Sequence, residues 1–340
     1  IAATNGGLLT LNDTGSATTD SVTINNTATV ADDMFGGNAL TVAGIETLNI
    51  VSSGAGAETA QTLGAVTMTA DTGGTDTVNF SGTNRITTGA ITAEVIDASG
   101  LSAQGNGLTF VQGAAAVGVT TITGSEGADT LLGDAASTIS GGAGNDGITG
   151  GTGNDTLNGG AGNDTITTNT GNDAVDAGTG DDSIVFGANL ATGDTLAAGD
   201  GIDTLSITNA SLTTLAGYGV TAANTLNGNI SGLERVLISD AFNSGTAFDV
   251  GRLDAITHLR ITGITGAESF TGFASGSTVV ELAADNAVAD ILTLAVNGAA
   301  TSATDSLNIF LSDPGANTDY GVTALADIET INLDVSEATA

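Results

Sequence analysis

Between Gly141 and Val185 the chain consists of nine-residue units placed end to end: GGAGNDGIT, GGTGNDTLN, GGAGNDTIT, TNTGNDAVD and AGTGDDSIV. A further copy, GSEGADTLL, lies upstream at 124–132, joined to the block by an eroded unit, GDAASTIS (133–140). Another, AGDGIDTLS, follows at 198–206 after an interruption. A unit this short cannot enclose a core of its own, so it must stack on its neighbours until one repeated apolar position forms a continuous interior. That position is the eighth, held by Leu131, Ile148, Leu157, Ile166, Val175, Ile184 and Leu205. The pattern G-G-x-G-x-D-x-U-x, with U apolar, predicts a tight loop followed by a short strand in every unit.

The loop half has its own chemistry. Glycine tolerates positive φ, which lets the loop curl and turn carbonyl oxygens inward. The sixth place adds a hard anionic oxygen in Asp129, Asp146, Asp155, Asp164, Asp173, Asp182 and Asp203. Carboxylate and carbonyl oxygens gathered around one point are what Ca2+ prefers, whereas Mg2+ demands a tighter octahedron. With two units per turn, loops alternate between two edges and each stacks on the loop two units later. Asp146 then meets Asp164, Asp155 meets Asp173, Asp164 meets Asp182, and Asp129 meets Asp146 across the eroded unit. Unaided, such stacked carboxylates repel; a cation between them turns repulsion into a cross-link. Gly and Asp also suit metal-free turns, but tandem repetition with the apolar residue in phase favours calcium. Asp134, out of register, reads as solvated.

Composition narrows the function. There are 38 acidic residues, four arginines and no lysine, for a net charge of −34. Scattered arginines cannot supply the basic stripe that nucleic acid needs, and no run of about 20 apolar residues could span a bilayer as a helix. With no cysteine, disulfides, thiolate metal sites and cysteine nucleophiles are excluded. Four divalent ions in the roll would offset about 8 of these charges, so further calcium sites are expected in the flanks or between neighbouring molecules. The few aromatics leave Ala, Val, Ile and Leu to build the core.

A looser theme recurs outside the block. An acid precedes alternating apolar residues in IETLNI (45–50), DTVNF (76–80), IDTLSI (202–207), LERVLI (233–238), DSLNI (305–309) and IETINL (328–333). Period-two alternation rich in Thr, Val and Ile predicts short strands. Only 280–296 and 323–331 offer weak helical candidates. The expected fold is all-β: a parallel β-solenoid or β-roll over 121–206, flanked by irregular β-helical rungs over 1–120 and 207–340.

Catalytic constellations are scarce. His258 is the single histidine, so neither HExxH nor a histidine cluster can form, and no GxSxG elbow occurs. Arg235, beside Glu234, and Arg260 read as ion-paired strand residues. A calcium-dependent polysaccharide lyase is the nearest enzyme alternative, yet it would need clustered basic residues. The chain is therefore expected not to be an enzyme.

The tandem block GGAGNDGITGGTGNDTLNGGAGNDTIT resembles the RTX repeats of Gram-negative proteins exported by type I secretion. The resemblance implies a calcium-filled parallel β-roll that folds outside the cell. It also implies ligation by the aspartates together with backbone carbonyls at early loop positions, here Gly142, Ala143, Gly144, Gly151, Thr152, Gly153, Gly160 and Gly162. The fourth and fifth copies depart from the pattern at Thr168-Asn169 and Ala177-Gly178. The absence of a readable cleavable leader agrees with a retained C-terminal export signal. The flanks, in phrases such as GIETLNIVSSG and ISGLERVLISD, are similar to rungs of RTX-type surface-layer proteins. That similarity implies a lattice protein on the cell surface. Its partners would be copies of itself bridged by Ca2+, and cell-surface polysaccharide bound through a region outside this chain. An RTX adhesin or matrix protein, or the non-catalytic module of a secreted enzyme, is the alternative.

Overall fold

The computed structural model describes residues 9–12, 19–26, 32–34, 38–52, 61–69, 74–102, 107–109, 120–212, 229–242, 247–250, 256–263, 267–273, 278–283, 291–296, 306–313, 322–326 and 330–337. Its regular structure is almost entirely strand, and the paired strands run parallel, as a β-solenoid requires. The chain divides into two compact units, Ile1–Asp182 and Ser183–Ala340.

In the first unit, rungs stack in register. Ser21–Asn26, Thr47–Ser52, Thr77–Gly82, Val95–Leu101, Thr120–Thr123, Ser137–Ala143, Thr156–Ala161 and Ala174–Thr179 pair successively. A second sheet begins with Asp32–Met34 and runs through Gln61–Leu63, Ile86–Thr88, Leu108–Thr109, Thr130–Leu132, Gly147–Thr149 and Thr165–Thr167. A third, formed by Leu9–Asn12, Leu40–Ala43, Val66–Thr69 and Ile91–Thr92, covers only the early rungs.

Within the nonapeptides the eighth place behaves as predicted. Ile122, Ile139, Leu157 and Val175 stack on one sheet, and Leu131, Ile148 and Ile166 on the other, all 0–4% exposed. Residues on either side of them face outward, following the strand period of two. The two sheets are unequal: strands on the first are six or seven residues long and run on into the next loop, while those on the second have three residues.

The second unit repeats the plan with longer spacings. Ser183–Gly187, Thr204–Ile207, Arg235–Ile238, His258–Ile261, Val279–Leu282, Ser306–Asp313 and Thr330–Glu337 form one sheet. Phe248–Asp249, Ala267–Phe273, Ile291–Val296 and Val322–Ala326 form another. The last two strands, together with Val279–Leu282, replace the helical candidates at 280–296 and 323–331; residues 284–290 and 327–329 lie outside the described set. Phenylalanine contributes more to the core than its frequency suggests. Phe242 and Phe270 stack at 4.6 Å, Phe248 meets Phe270 edge-on at 6.3 Å, and Phe80, Phe186 and Phe273 are also buried.

His258 lies on a strand and meets Glu281 Oε2 at 3.0 Å, while Arg260 Nε lies 3.2 Å from Glu281 Oε1. Glu234 does not pair with Arg235, which makes no ion pair among the described residues; Glu234 accepts instead from the Asp203 N–H at 2.9 Å. Because Leu157 is fully buried between equivalent rungs, Leu157→Ala is expected to cost about 2–5 kcal/mol of folding free energy. Denaturant unfolding in calcium, compared with the parent chain, measures this.

Candidate metal centre

The sixth-place aspartates form two columns, one per edge. On one edge the Asp129 N–H donates to Asp146 Oδ1 at 2.8 Å, the Asp146 N–H to Asp164 Oδ1 at 2.8 Å, and the Asp164 N–H to Asp182 Oδ1 at 2.7 Å. On the other, the Ser137 N–H donates to Asp155 Oδ1 at 2.7 Å and the Asp155 N–H to Asp173 Oδ1 at 3.0 Å. A return bond accompanies the Asp129–Asp146, Asp146–Asp164 and Asp155–Asp173 steps: the N–H of the residue after the aspartate reaches the carbonyl of the aspartate one rung earlier. Gly147 to Asp129, Thr165 to Asp146 and Ala174 to Asp155 do so at 2.7–2.9 Å. The predicted pairings therefore all occur, made through an amide instead of by carboxylate meeting carboxylate.

The eroded unit explains the odd spacing. Asp146 follows Asp129 by 17 residues, whereas the other steps are 18. Thr138, Ile139 and Ser140 align with Thr156, Leu157 and Asn158, which puts Ser137 in the aspartate's place. Gly133 keeps the first place, since its N–H donates to the Thr149 carbonyl at 2.8 Å just as that of Gly150 does to Thr167. Gly153 packs over Ala135 and Ala136 as Gly144 packs over Gly127 and Ala128, so the missing residue is the third of the loop. Asp134 is half-buried at the second place, and its carbonyl accepts from the Thr152 N–H at 2.8 Å, as the Ser125 carbonyl does from Ala143.

The second carboxylate oxygen separates the sites. Asp155 Oδ2 accepts from the Gly151 N–H of its own loop at 2.7 Å. Asp129 is saturated: Ser125 donates its N–H to Oδ2 at 2.6 Å and brings its hydroxyl to both oxygens, and the Leu108 N–H donates to Oδ1. Asp146 Oδ2 and Asp164 Oδ2, in contrast, are buried without a hydrogen-bond partner. A buried, ionised oxygen left this way is costly unless a cation meets it. Beside each lies a glycine whose missing side chain leaves the room. A Cβ on Gly141 would collide with Asp146 Oδ2 and lie 2.6 Å from the Gly159 carbonyl oxygen; one on Gly159 would strike Asp164 Oδ2 and the Ala177 carbonyl oxygen.

These oxygens are the right kind for Ca2+. Among the described residues no three acidic or imidazole groups converge on one point, so the carboxylates would hold an ion together with backbone carbonyls. Gly142, Gly144, Gly160 and Gly162 take positive φ of 110–125° in the loops of Asp146 and Asp164. Ala143 lies with the first pair at the end of its long strand. Gly151, Thr152 and Gly153 belong to the Asp155 loop, and neither glycine there is left-handed, contrary to the expectation for glycine throughout the motif. Gly151 is needed for close approach instead, since a Cβ would strike the Asp134 carbonyl. In the departing fourth copy Asn169 adopts φ 67° itself, and its Nδ2 donates to the Gly150 carbonyl at 2.9 Å. Asp203 is fully buried and takes part in the same kind of step with Glu234, not with another nonapeptide.

Two features escaped the sequence reading. The first-place carbonyls of Gly159 and Ala177 border the same glycine gaps as the orphaned oxygens of Asp146 and Asp164. The fifth place, read as variable, forms an exposed ladder of opposite sense. Asn145 Oδ1 accepts from the Asn163 N–H, Asn154 Oδ1 from the Asn172 N–H, and Asn163 Oδ1 from the Asp181 N–H, at 2.9–3.0 Å. Recurrent asparagine before the aspartate was the available signal.

The geometry is that of a parallel β-roll whose stacked loops gather hard oxygens. Comparison agrees: residues 118–148, 136–157 and 149–184 match the family model of the RTX calcium-binding nonapeptide repeat. No curated protein and no solved structure matches the chain. The chain thus carries RTX repeats over this segment, and no helix among the described residues is long and apolar enough to cross a membrane.

Burial pushes Asp146 up to about 7 and Asp182 up to about 6 despite their amide donors, and neighbouring carboxylates add to both shifts. Burial likewise raises Asp129, Asp155 and Asp164. In the unfolded chain these groups ionise near 3.8, so the metal-free folded state holds protons that the unfolded state has lost. Its stability should therefore fall as pH rises from about 4 to about 7. In calcium the ionised form is the ligand, and the trend should reverse. Urea unfolding at pH 5 and pH 7.5, in chelator and in calcium, checks both signs; the same slope in both media would contradict them.

Proposed function

We propose that this chain is a non-catalytic, calcium-dependent structural protein of the cell exterior that assembles with copies of itself into a two-dimensional surface layer. The observation that carries the reading is the pair of buried, unpartnered oxygens of Asp146 and Asp164, held beside backbone carbonyls. RTX repeats are typical of secreted proteins, which supports a site of action where calcium is abundant.

The chain's own residues do the mechanical work. The rung-to-rung amide bonds fix register, and the glycines admit the close approach of stacked loops. The apolar eighth places zip the interior together. Bound calcium supplies the positive charge that lets the carboxylates stay ionised in this stack. Since ions that bind only the folded roll stabilise it by mass action, folding becomes a function of calcium concentration. With a net charge of −34, copies of the chain repel one another, so lattice contacts need the same divalent bridging. Regular outward rows such as Thr121, Thr138 and Thr156 offer repeating contact faces.

Asp155→Asn and Asp164→Asn should each raise the calcium concentration at the folding midpoint severalfold. Asp164→Asn should act more strongly, because Asp155 retains the Gly151 amide. Far-ultraviolet circular dichroism gives the midpoint, and light scattering with electron microscopy follows assembly. Ordered sheets forming with calcium support the lattice. Folding without assembly would point to an adhesin or enzyme module, and variants that fold unchanged in chelator would refute the calcium role.

A further inference from the structure

The acid that precedes strands in the flanks occupies the same place as the nonapeptide aspartate. Register through the first unit puts Ser21, Thr47, Thr77, Val95, Thr121, Thr138, Thr156 and Ala174 side by side. The residues just before them are therefore one column: Asp20, Glu46, Asp76, Glu94, Thr120, Ser137, Asp155 and Asp173. The hydrogen bonds repeat those of the roll. The Asp20 N–H donates to Glu46 Oε2 at 2.8 Å while the Thr47 N–H returns to the Asp20 carbonyl at 3.1 Å. The Asp76 N–H donates to Glu94 Oε2 at 3.2 Å while the Val95 N–H returns to the Asp76 carbonyl at 3.0 Å.

Glu46 shares the feature that marks Asp146 and Asp164. It is 4% exposed, one oxygen holds the neighbouring rung, and the other, Oε1, is buried without a hydrogen-bond partner. A glycine again lies alongside: a Cβ on Gly74 would come within 2.6 Å of Glu46 Cγ and 3.3 Å of Oε1. Among the described residues no basic side chain answers this oxygen. The chain has no lysine, and Arg85, on an early rung of the same unit, uses its guanidinium to donate to Thr109 Oγ1 at 3.1 Å.

We propose that Glu46 anchors a further calcium site, outside the nonapeptides, in the acidic column it shares with Asp20 and Asp76. Only hard oxygens are at hand, and an irregular rung suits the flexible coordination of Ca2+ better than the strict octahedron of Mg2+. Backbone carbonyls and water complete the shell. The proposal rests on the reading that orphaned oxygens in such a column take calcium. It extends calcium dependence from the roll into the upstream solenoid, whose sequence carries no nonapeptide there.

Equilibrium dialysis of the full chain against calcium tests it, with Glu46→Gln and Asp164→Asn in parallel. Glu46→Gln should bind one ion fewer per chain with its β signal in calcium retained, and Asp164→Asn should lose ions from the roll. If Glu46→Gln binds the full complement while Asp164→Asn does not, the flank site is wrong and the roll stands. If neither loses an ion, both readings fall. Should Glu46→Gln not fold, crystals of the unaltered chain soaked in Tb3+ decide the matter. An anomalous peak at bonding distance from Glu46 Oε1 supports the site, and no peak there overturns it.

Discussion

Everything in this molecule is arranged around one hydrogen bond, in which a carboxylate accepts the backbone N–H of the residue at its own place one rung earlier. The bond fixes the register of adjacent loops and buries the acid. It occupies one oxygen and leaves the other pointing into a space made by an absent side chain. The constraints on the motif follow. The first place needs glycine where the carboxylate and a neighbouring carbonyl close in, and the eighth must be apolar to hold the sheets together. The sixth must be an anion for a cation to bind. Stacked at the strand spacing of about 4.8 Å, such anions repel and resist ionisation, and burial has already raised their proton affinity. Without metal, only the apolar core opposes this charge, and at neutral pH it is not enough to hold the roll.

The second oxygen makes the columns heterogeneous. At Asp129 a serine in the second place and an amide from the preceding rung satisfy the carboxylate completely. That loop therefore ends its column with protein donors alone, and its need for an ion is the least. Asp155 is intermediate, with one amide from its own loop on the second oxygen. Asp146 and Asp164 have none there. Sequence motifs that look equivalent thus differ in how strongly they call for calcium, and the difference comes from which strand precedes the loop. Where a six- or seven-residue strand runs through the early glycines, their amides belong to the sheet and are lost to the aspartate.

Much of this was legible in the residues. Strict nine-residue spacing gave the roll, the two edges and the aspartate pairings 18 residues apart, because that period leaves no freedom in register. Asp129 with Asp146 had to be read across the eroded unit. The theme IETLNI and LERVLI marked flank strands correctly. Its meaning stayed hidden, however, because the intervals from acid to acid vary: 26 residues from Asp20 to Glu46, 18 from Asp76 to Glu94 and 31 from Asp203 to Glu234. Loops of different length erase the period while the strands keep it. Glu329 and Asp305, of the same theme, lie outside the described residues. The role of Ser137 was obscured by a deletion that a count of residues cannot position, and the pairing of Glu234 with Arg235 failed because adjacent residues on a strand face opposite sides. Tertiary stacking, not local propensity, turned the helical candidates into strands.

The central claim, that the stacked carboxylates require calcium for the fold to persist, is tested most directly by circular dichroism of the unaltered, chelated chain at neutral pH. Calcium is titrated in, with magnesium as the control. The account predicts weak β signal in chelator and in magnesium, and a cooperative rise with calcium. A β signal already complete in chelator, unmoved by calcium, would show that the aspartates only shape turns, and would contradict the account.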